Sequence, residues 1–327
     1  MFSAPRIPPP RSRAAALFTG LAAVLVSLAL AASACAAGGG PDSARAGRSP
    51  SGSERARLSS ATPGHRAGTR VTKLVVLVVE NHSLAQMRSG MPWTFRQAQR
   101  YGYARDYHAI RHPSLPNYLA IAGGSTFGVA DDAPPVDHPV SGRSVFGQAL
   151  AAGRTAGVYA DSMPGRCATS DSGRYAVRHN PWTYFVDERG QCRRFDRPMS
   201  ALAGDVRAGD LPNAGLVVPN TCHDAHDCSL SVADSWMKRT IRTLRSGPDW
   251  ASGRLAVVVT ADEDDRRSRN RVLTVVMHPS VHGVVVGDRL SHYSLTRLYD
   301  DVLGTSHLRR ARRAPDMAAA FGLPVAG

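Results

Sequence analysis

The sequence predicts an α/β fold in which a doubly wound, mostly parallel sheet carries helices on both faces. Short apolar runs rich in β-branched residues recur along the chain, as expected of strands that are buried on both faces. These runs cover residues 73–79, 155–160, 214–218, 254–260 and 272–277. Helical stretches lie between or after them at 116–122, 144–152, 230–245 and 294–303. Strands that alternate with helices are typical of a parallel sheet.

Residues 161–200 interrupt this alternation. They combine many Gly, Arg, Asp and aromatic residues with Cys167 and Cys192. This composition predicts a small loop-rich cap over the functional site that the polar residues described below would form. No internal repeat is visible, and a single α/β domain can reach the size of residues 71–327. We therefore predict one catalytic domain over 71–327.

The first 35 residues are predicted to be an export signal. Three arginines precede an apolar run at 14–32, and small residues with Cys35 follow it, as at a signal-peptidase site. The pattern is also similar to a bacterial lipobox, which would leave Cys35 as a lipidated first residue. An uncleaved membrane anchor is the alternative, because the run is nearly long enough to span a bilayer. Each interpretation predicts a secreted protein or a bacterial cell-surface protein.

Residues 36–70 are rich in Gly, Ser, Ala, Pro and Arg without an apolar period, and we predict a disordered basic linker. The formal net charge of the chain is +14. Residues 1–70 supply half of it, with nine Arg against two acidic residues. A basic surface attracts anionic partners such as phosphate esters. An arginine-rich composition alone would give the same charge, so the charge does not define a function.

Four cysteines lie in the predicted domain, namely Cys167, Cys192, Cys222 and Cys228. An even number in an exported chain indicates disulfides, and four cysteines allow three connectivities. We favour Cys222–Cys228, which closes a short loop, together with Cys167–Cys192. A zinc site is the competing interpretation, but the sequence has no CxxC pair.

Polar clusters follow three of the predicted strands. They are Glu80-Asn81-His82 after 73–79, Asp262–Asp265 after 254–260, and the Asp- and His-containing stretch 219–228 after 214–218. Ligands of open α/β sheets bind at the carboxyl ends of the strands. One acidic residue after a strand is commonly a helix cap, whereas three clusters predict a site. Oxygen ligands with some imidazole suit a divalent metal ion of unspecified identity.

Ser114 lies in the run Arg111-His-Pro-Ser-Leu-Pro-Asn-Tyr118. Pro116 suits the first turn of a helix, which we predict from Asn117 to Ala122, with Gly123-Gly124 ending it. Ser114 would then lie just before a helix N-terminus, where anions bind. A metal could ionise its hydroxyl for attack on phosphorus, with the Asn117 amide holding a phosphoryl oxygen. The alternative is an ordinary N-cap serine.

The run His112-Pro-Ser-Leu-Pro-Asn-Tyr-Leu119, read with Glu80-Asn81-His82-Ser83 and Asp262-Glu263-Asp264, resembles the bacterial phosphoesterase family. That family, which contains acid phosphatases and phospholipases C, belongs to the alkaline phosphatase superfamily. The chain is most similar to smaller secreted acid phosphatases of actinobacteria, including phosphatidylinositol-3-phosphate phosphatases. The resemblance covers roughly residues 73–304, and further matching stretches are Tyr159–Pro164, Tyr175–Trp182, Val218–Cys228 and Ser291–Arg297.

The resemblance implies an alkaline-phosphatase-like fold and roles for individual residues. Ser114 matches the nucleophile that forms a phosphoserine, and Asn117 matches the amide that holds the phosphoryl group. The implied metal-binding positions are Glu80, Asn81, Asp262 and Glu263. Positions near the metal or phosphate are His292, Asp224 and His226, and the phosphate pocket would include His112 and His179. Asp264 and Asp265 lengthen the acidic cluster, so the ligands among 262–265 stay open.

These observations predict an exported, metal-dependent phosphomonoesterase of the acid phosphatase type. Its substrates would be phosphate esters, with phosphoinositides or other phosphorylated metabolites as candidates. A phospholipase C-type phosphodiesterase would share the nucleophile and fold, but no extra lipid-binding domain is visible after residue 304. A non-catalytic, surface-tethered anion binder is the third hypothesis, and the nucleophile with its acidic clusters opposes it. We expect a monomer without a nucleic-acid partner, which contacts membranes only through a lipid anchor.

Overall fold

The computed structural model describes residues 69–325. The predicted export signal, Cys35 and almost all of the predicted linker lie outside these residues. In chain order the strands are β1 (Lys73–Val79), β2 (Gly102–Ala104), β3 (Tyr107–His108), β4 (Ala156–Ala160), β5 (Asp196–Pro198), β6 (Ala214–Val218), β7 (Leu255–Ala261), β8 (Thr274–Met277), β9 (Val284–Val286) and β10 (Leu290–Ser291).

The α-helices are α1 (Leu84–Gly90), α2 (Pro92–Arg100), α3 (Ser114–Gly123), α4 (Val145–Ala151), α5 (Arg189–Phe195), α6 (Leu202–Ala208), α7 (Leu230–Arg245), α8 (Pro248–Ala251), α9 (His292–Leu303) and α10 (Met317–Phe321). Short 3-10 turns cover Val177–His179, Pro181–Tyr184, Val186–Glu188, Met199–Ala201 and Arg309–Arg313. Within residues 69–325, no helix is both long enough and apolar enough to cross a membrane.

The predicted α/β fold is confirmed. Within the described residues, eight strands form one sheet in the order β5-β4-β6-β1-β7-β8-β2-β9, and β8 is the only one that runs against the others. The small pair β10-β3 stands beside it. β1 lies between β6 and β7, with Val75 opposite Gly215 on one side and Val257 on the other. The mostly parallel sheet brings the carboxyl ends of β6, β1 and β7 to one edge.

The apolar runs form strands because both faces of the sheet are covered. All six residues from Leu74 to Val79 are fully buried in β1. Each such side chain contributes roughly 1.5–3 kcal/mol on burial. α9 packs against β1, and its Tyr299 hydroxyl donates a hydrogen bond to the Gly215 carbonyl over 2.6 Å. A Cβ atom at Gly215 would lie 2.9 Å from a Val75 methyl carbon, so the close approach of β6 and β1 requires glycine here.

Helix α3 begins at Ser114, before the predicted start at Asn117. Pro116 is the third residue of the helix rather than the first. All ten residues of α3 are buried, and Gly124 ends the helix with a left-handed φ of 67°. The Thr296 hydroxyl on α9 donates to the Ala120 carbonyl over 2.6 Å, which fastens α3 to its neighbour.

Residues 161–200 were predicted as a loop-rich cap, but the structure builds them into the domain. They form 3-10 turns, α5 and the edge strand β5. Trp182, Tyr184 and Phe185 are fully buried in the core. This segment is therefore part of the hydrophobic core rather than a separate cap, and it delivers His179 to the carboxyl edge of the sheet.

The favoured disulfide connectivity is confirmed, with bonds Cys167–Cys192 and Cys222–Cys228. The two bonds span 25 and 6 residues of sequence, respectively. Because a longer closed loop restricts the unfolded chain more, replacing the first pair by alanines should cost about 1 kcal/mol more unfolding free energy than replacing the second. Urea unfolding of the two double variants measures this difference. The reverse order would show that native contacts of the 222–228 loop outweigh the restriction of the unfolded chain.

Candidate active site

Three strand ends meet at the carboxyl edge of the sheet. Glu80 directly follows β1, Asp262 directly follows β7, and the loop after β6 carries Asp224. The Glu80 amide donates to the Asp224 carbonyl over 2.8 Å, and the Asp262 amide donates to the Val79 carbonyl over 3.0 Å. Main-chain hydrogen bonds alone therefore hold the three segments next to one another.

Ser114 is the first residue of α3 and is only 4% exposed. Its hydroxyl donates a hydrogen bond to the Glu80 carboxylate over 2.9 Å. The N-cap position is occupied by Pro113 and has no side-chain capping bond. The alternative that Ser114 is an ordinary N-cap is therefore wrong. Its hydroxyl points into the carboxylate cluster at the positive end of the helix.

Glu80 is the centre of this cluster. One of its carboxylate oxygens accepts a hydrogen bond from Tyr118 over 2.7 Å. The same oxygen lies 3.3 Å from Nε2 of His179, whose Nδ1 lies 3.2 Å from the Asp224 carboxylate. The ring of Tyr118 stacks on His179 with centroids 5.1 Å apart. His179 thus bridges two buried carboxylates.

The charges of this buried pair are opposite. Burial alone would raise the pKa of Glu80, but His179 and the hydrogen bonds from Tyr118 and Ser114 lower it to about 2. Burial alone would lower the pKa of His179, but the charge of Glu80 and the contact with Asp224 raise it to about 9. At neutral pH, Glu80 is therefore ionised and His179 is protonated. Burial also raises the pKa of Asp224 above its ordinary value.

Asp262 and Glu263 add two carboxyl groups to the buried site beside Glu80. Oδ1 of Asp262 accepts a hydrogen bond from the backbone N–H of Asn81 over 2.9 Å. The other, buried oxygen, Oδ2, has no hydrogen-bond partner among the described residues. Burial and the charges of Glu80 and Glu263 raise the pKa of Asp262 well above its ordinary value. Burial and the charges of Glu80 and Asp132 raise the pKa of Glu263 to about 8. The buried carboxyl groups of the cluster therefore outnumber its protonated imidazole.

This donor set fits a divalent cation by its chemistry. Oxygen donors with net negative charge are the ligands that hard divalent ions prefer. The residues that would hold the ion are Glu80, Asn81, Asp262 and Glu263. Among residues 69–325, however, no three His, Cys, Asp or Glu side chains converge as in a closed metal site. The fit therefore rests on the unpartnered Asp262 oxygen and on the excess of buried carboxyl groups over cations in the cluster.

The structure separates Asp264 and Asp265 from this donor set. Asp264 accepts hydrogen bonds from the amides of Arg266, Ser268 and Asn270, which shapes the following loop. Asp265 accepts a hydrogen bond from the Gln86 side chain over 3.1 Å. The other Asp265 oxygen has no partner among the described residues, but its side chain is 24% exposed and lies 3.9 Å from Arg267, whereas Asp262 is fully buried beside Glu80. Of the four acidic residues at 262–265, the first two are the better candidates for a metal.

Asn117 and His112 border the cluster on the side of α3. The Asn117 amide group donates to Glu263 over 3.1 Å and to the Arg111 carbonyl over 2.7 Å, and its oxygen accepts from the Ile110 amide over 2.9 Å. It therefore also fixes the loop that precedes the nucleophile. His112 lies 2.9 Å from Glu263 and 3.2 Å from Asp264, and its side chain is 18% exposed. His112 is thus placed at the mouth of the site.

His292 and His226 lie beside different members of the cluster, Asp262 and His179 respectively. His292 is fully buried, and its Nε2 donates to the Asp262 carbonyl over 2.7 Å while its Nδ1 accepts from the Tyr107 hydroxyl over 3.1 Å. Burial lowers the pKa of His292 to about 4, so its ring is neutral and positions Asp262. His226 is exposed, and its ring centroid lies 6.4 Å from that of His179.

Sequence reasoning missed two residues of the site, Tyr118 and Asp132. Tyr118 follows Ser114 by four positions on α3, so both side chains lie on one face of the helix and both contact Glu80. That spacing is a signal that the sequence does contain. Asp132 accepts a hydrogen bond from the Leu115 amide at the start of α3 over 2.8 Å. Asp132 lies in a loop 17 residues after Leu115, and no sequence pattern identifies it as a site residue.

The sequence of the chain matches a known protein family and several named enzymes. Residues 86–304 match the Phosphoesterase family. The chain belongs to this family. It is 30% identical over 253 residues to a phosphatidylinositol-3-phosphatase of Mycobacterium tuberculosis, an alignment that covers 76% of this chain and 82% of that protein. It is 29% identical over 204 residues to a phosphate-repressible acid phosphatase of Penicillium chrysogenum, which covers 58% of this chain and 49% of that one.

Solved structures place this phosphoesterase in a wider fold group. A protein of the alkaline phosphatase superfamily from Vibrio parahaemolyticus superposes with a TM-score of 0.56 at 9% identity, covering 77% of this chain and 70% of that one. The lipoteichoic acid synthase LtaP of Listeria monocytogenes superposes with a TM-score of 0.51 at 10% identity, covering 77% and 76%. At such identities the similarity establishes the fold alone. Family membership makes the chain a hydrolase of phosphoric ester bonds, whose substrates are phosphate esters.

Proposed function

We propose that this phosphoesterase is an exported, metal-dependent phosphomonoesterase that works through a phosphoserine at Ser114. The observation that carries the proposal is the hydrogen bond of the Ser114 hydroxyl to Glu80 beside the buried carboxyl groups of Asp262 and Glu263. A buried nucleophile with an oriented proton and a ready anion site at a helix N-terminus suits attack on phosphorus.

Glu80 orients the Ser114 proton but is too weak a base to remove it. A carboxylate with a pKa of about 2 holds a proton far less tightly than an alkoxide does. A divalent ion held by Glu80, Asn81, Asp262 and Glu263 would supply Lewis acidity and would neutralise phosphoryl charge. The protein itself contributes the direction of the hydroxyl, the exclusion of water by burial and the positive end of α3.

The reaction of the substrate takes two displacements. Ser114 Oγ forms a bond to phosphorus and gives up its proton while the ester P–O bond breaks, and the leaving alkoxide takes up one proton to become the alcohol. Water then cleaves the phosphoserine and releases inorganic phosphate. Asn117 lies one helical turn from Ser114 and donates to Glu263, a position from which its amide can bind a phosphoryl oxygen. His112, at the mouth, is placed to contact the substrate.

The relatives support a monoester substrate, and the disulfides support an extracytoplasmic setting. Both named relatives are phosphatases, and one is named for a phosphoinositide. A phosphoinositide or another phosphorylated metabolite is therefore the proposed substrate, with acid phosphatase activity. Two disulfides suit an oxidising compartment, which agrees with the predicted export signal and with lipidation at Cys35.

Removal of metal tests the proposal. Chelation followed by desalting should lower hydrolysis of p-nitrophenyl phosphate by at least about 100-fold, because an ion then no longer stabilises the charge on the reacting phosphoryl group. Adding back one divalent ion should restore the rate. Asp262→Asn should raise the metal concentration that gives half-maximal rate, whereas Asp265→Asn should not, since Asp265 bonds Gln86, lies 3.9 Å from Arg267 and is partly exposed.

A pair of substrates distinguishes a phosphomonoesterase from a phosphodiesterase. We expect p-nitrophenyl phosphate to be hydrolysed faster than bis-p-nitrophenyl phosphate. Faster hydrolysis of the diester would favour the phospholipase C-type alternative. Full activity after chelation, with no metal found by elemental analysis, would contradict the proposed metal dependence.

A further inference from the structure

A depression lined with arginines opens beside the mouth of the active site. Two adjoining cavities, of about 380 Å³ and about 500 Å³, share the lining residues His108, Arg269 and Arg289. The first of them is also lined by His112 and Arg266. We call this feature the arginine depression. It is distinct from the carboxylate cluster that holds Ser114.

His112 connects the arginine depression to the catalytic residues. Its ring lines the depression and also lies 2.9 Å from Glu263. Ser114 follows His112 by two residues in the chain. Arg266 is close enough for its charge to act on both His112 and Glu263. A ligand in the depression would therefore contact His112, the residue that connects the depression to Glu263 and to Ser114.

The positive charge of the arginine depression is not neutralised. Among residues 69–325, the side chains of Arg266, Arg269 and Arg289 form no hydrogen bond or ion pair. The acidic residues of the lining are already engaged, since Asp106 pairs with His108 over 2.8 Å and Asp264 accepts three backbone amides. The guanidinium groups are thus free to bind an anion, and their planar forks suit phosphate.

The backbone that presents these arginines is unusual. Arg266 and Arg269 adopt left-handed conformations with φ of 69° and 56°. Non-glycine residues rarely occupy this region, and glycine would adopt it without strain. Asp264 holds the loop in place through its three amide contacts. The loop that presents the arginines therefore has a defined conformation.

We propose that the arginine depression binds a second phosphate of the substrate while the first reacts at Ser114. This inference rests on the proposed phosphomonoesterase function and narrows its substrates to molecules that carry two phosphate groups. The second group can be a monoester, as in a soluble bisphosphate, or a diester, as in the headgroup of a phosphorylated inositol lipid. The shared chemistry is a second anionic phosphate within reach of the reacting one.

The test compares two soluble substrates, fructose 1,6-bisphosphate and fructose 6-phosphate, by release of inorganic phosphate. Arg269→Gly and Arg289→Ala are combined, and glycine suits the left-handed backbone at 269. The ratio of kcat/KM for the bisphosphate over the monophosphate should fall about tenfold, because two partly exposed contacts with phosphate are lost. The matched control combines Arg193→Ala and Arg313→Ala, two exposed arginines outside the depression, and should keep the wild-type ratio.

Vesicles distinguish the two sources of the second phosphate. Phosphatidylcholine vesicles that carry phosphatidylinositol 3-phosphate are compared with a short-chain, water-soluble form of the same lipid. A similar loss on both forms supports recognition of the headgroup. A loss confined to vesicles, with an unchanged ratio for the soluble pair, would mean attraction to a membrane surface and would overturn the proposal. A ratio within twofold of wild type, including equal losses on both sugar phosphates, would also overturn it.

A binding measurement keeps this inference separate from the proposed reaction. Calorimetry on Ser114→Ala should show that fructose 1,6-bisphosphate binds more tightly than fructose 6-phosphate, and that adding Arg269→Gly and Arg289→Ala removes most of this preference. Absence of turnover by the wild-type enzyme would contradict the proposed function alone. Equal binding of both sugar phosphates by Ser114→Ala would contradict the second-phosphate site.

Discussion

Ser114→Ala is expected to reduce phosphate release from p-nitrophenyl phosphate by on the order of 10⁴-fold or more, because the variant has no nucleophile. The hydroxyl that would be lost is buried, donates to Glu80 over 2.9 Å and makes no capping bond to α3. Removing it leaves the buried Glu80 carboxylate with one donor fewer, so the free energy of unfolding should fall by about 1–3 kcal/mol. Steady-state kinetics and urea unfolding measure the two effects on the same preparation.

The control for this variant is Ser89→Ala on α1. The Ser89 hydroxyl is exposed and bonds only to carbonyls of its own helix, so its removal should leave turnover unchanged. Acid quenching of the wild-type enzyme during turnover, followed by mass spectrometry, should find a phosphate on the peptide that contains Ser114. Turnover of Ser114→Ala near the wild-type rate would rule out this residue as the nucleophile.

Glu80→Gln is expected to lose both activity and stability. Turnover should fall by roughly 100-fold or more, because Ser114 loses its orienting carboxylate and the cluster loses a proposed metal ligand. The free energy of unfolding should fall by about 3–5 kcal/mol, because protonated His179 is left buried with a weakened ion pair. Enzyme kinetics and chemical denaturation of the same variant measure these losses.

A second substitution separates the two effects of Glu80→Gln. Adding His179→Gln removes the buried imidazolium, which in Glu80→Gln has lost one of its two carboxylate partners and keeps Asp224. The double variant should therefore regain part of the lost stability without regaining turnover. Glu188→Gln is the matched control, because Glu188 is also buried but bonds Ser144 and Trp182 outside the cluster. It should cost stability and leave kcat/KM close to wild type. Recovery of turnover in the Glu80/His179 double variant would contradict the role given to Glu80.

The parts of the fold that the sequence predicts well are those set by burial. The five apolar runs coincide with strands to within two residues at each end, because both faces of the sheet are covered. The direction of β8 could not be predicted, since a strand buried on both faces has the same composition in either direction. The start of α3 was placed too late because Pro116 suits any position in the first helical turn, where no amide has an intrahelical partner.

The candidate site was predictable in its members but not in their arrangement. Acidic clusters after β1, β6 and β7 had to meet at one edge once the sheet was parallel. The sequence could not show which of Asp262 and Asp264 is the better candidate metal ligand. Only the structure shows that Asp264 accepts hydrogen bonds from three backbone amides. Composition was misleading at 161–200, where Trp182 and Tyr184 belong to the core although Gly, Arg and Asp surround them.

The complete burial of α3 has a consequence for how this enzyme can diversify. Every one of the ten residues on that helix packs against neighbours, so a change there disturbs the nucleophile together with the core. The exposed loop with Arg266 and Arg269, in contrast, borders the mouth without supporting the sheet. Substitutions in this loop, by natural selection or by design, can therefore change which phosphate esters bind. The nucleophile Ser114 and its surroundings stay the same.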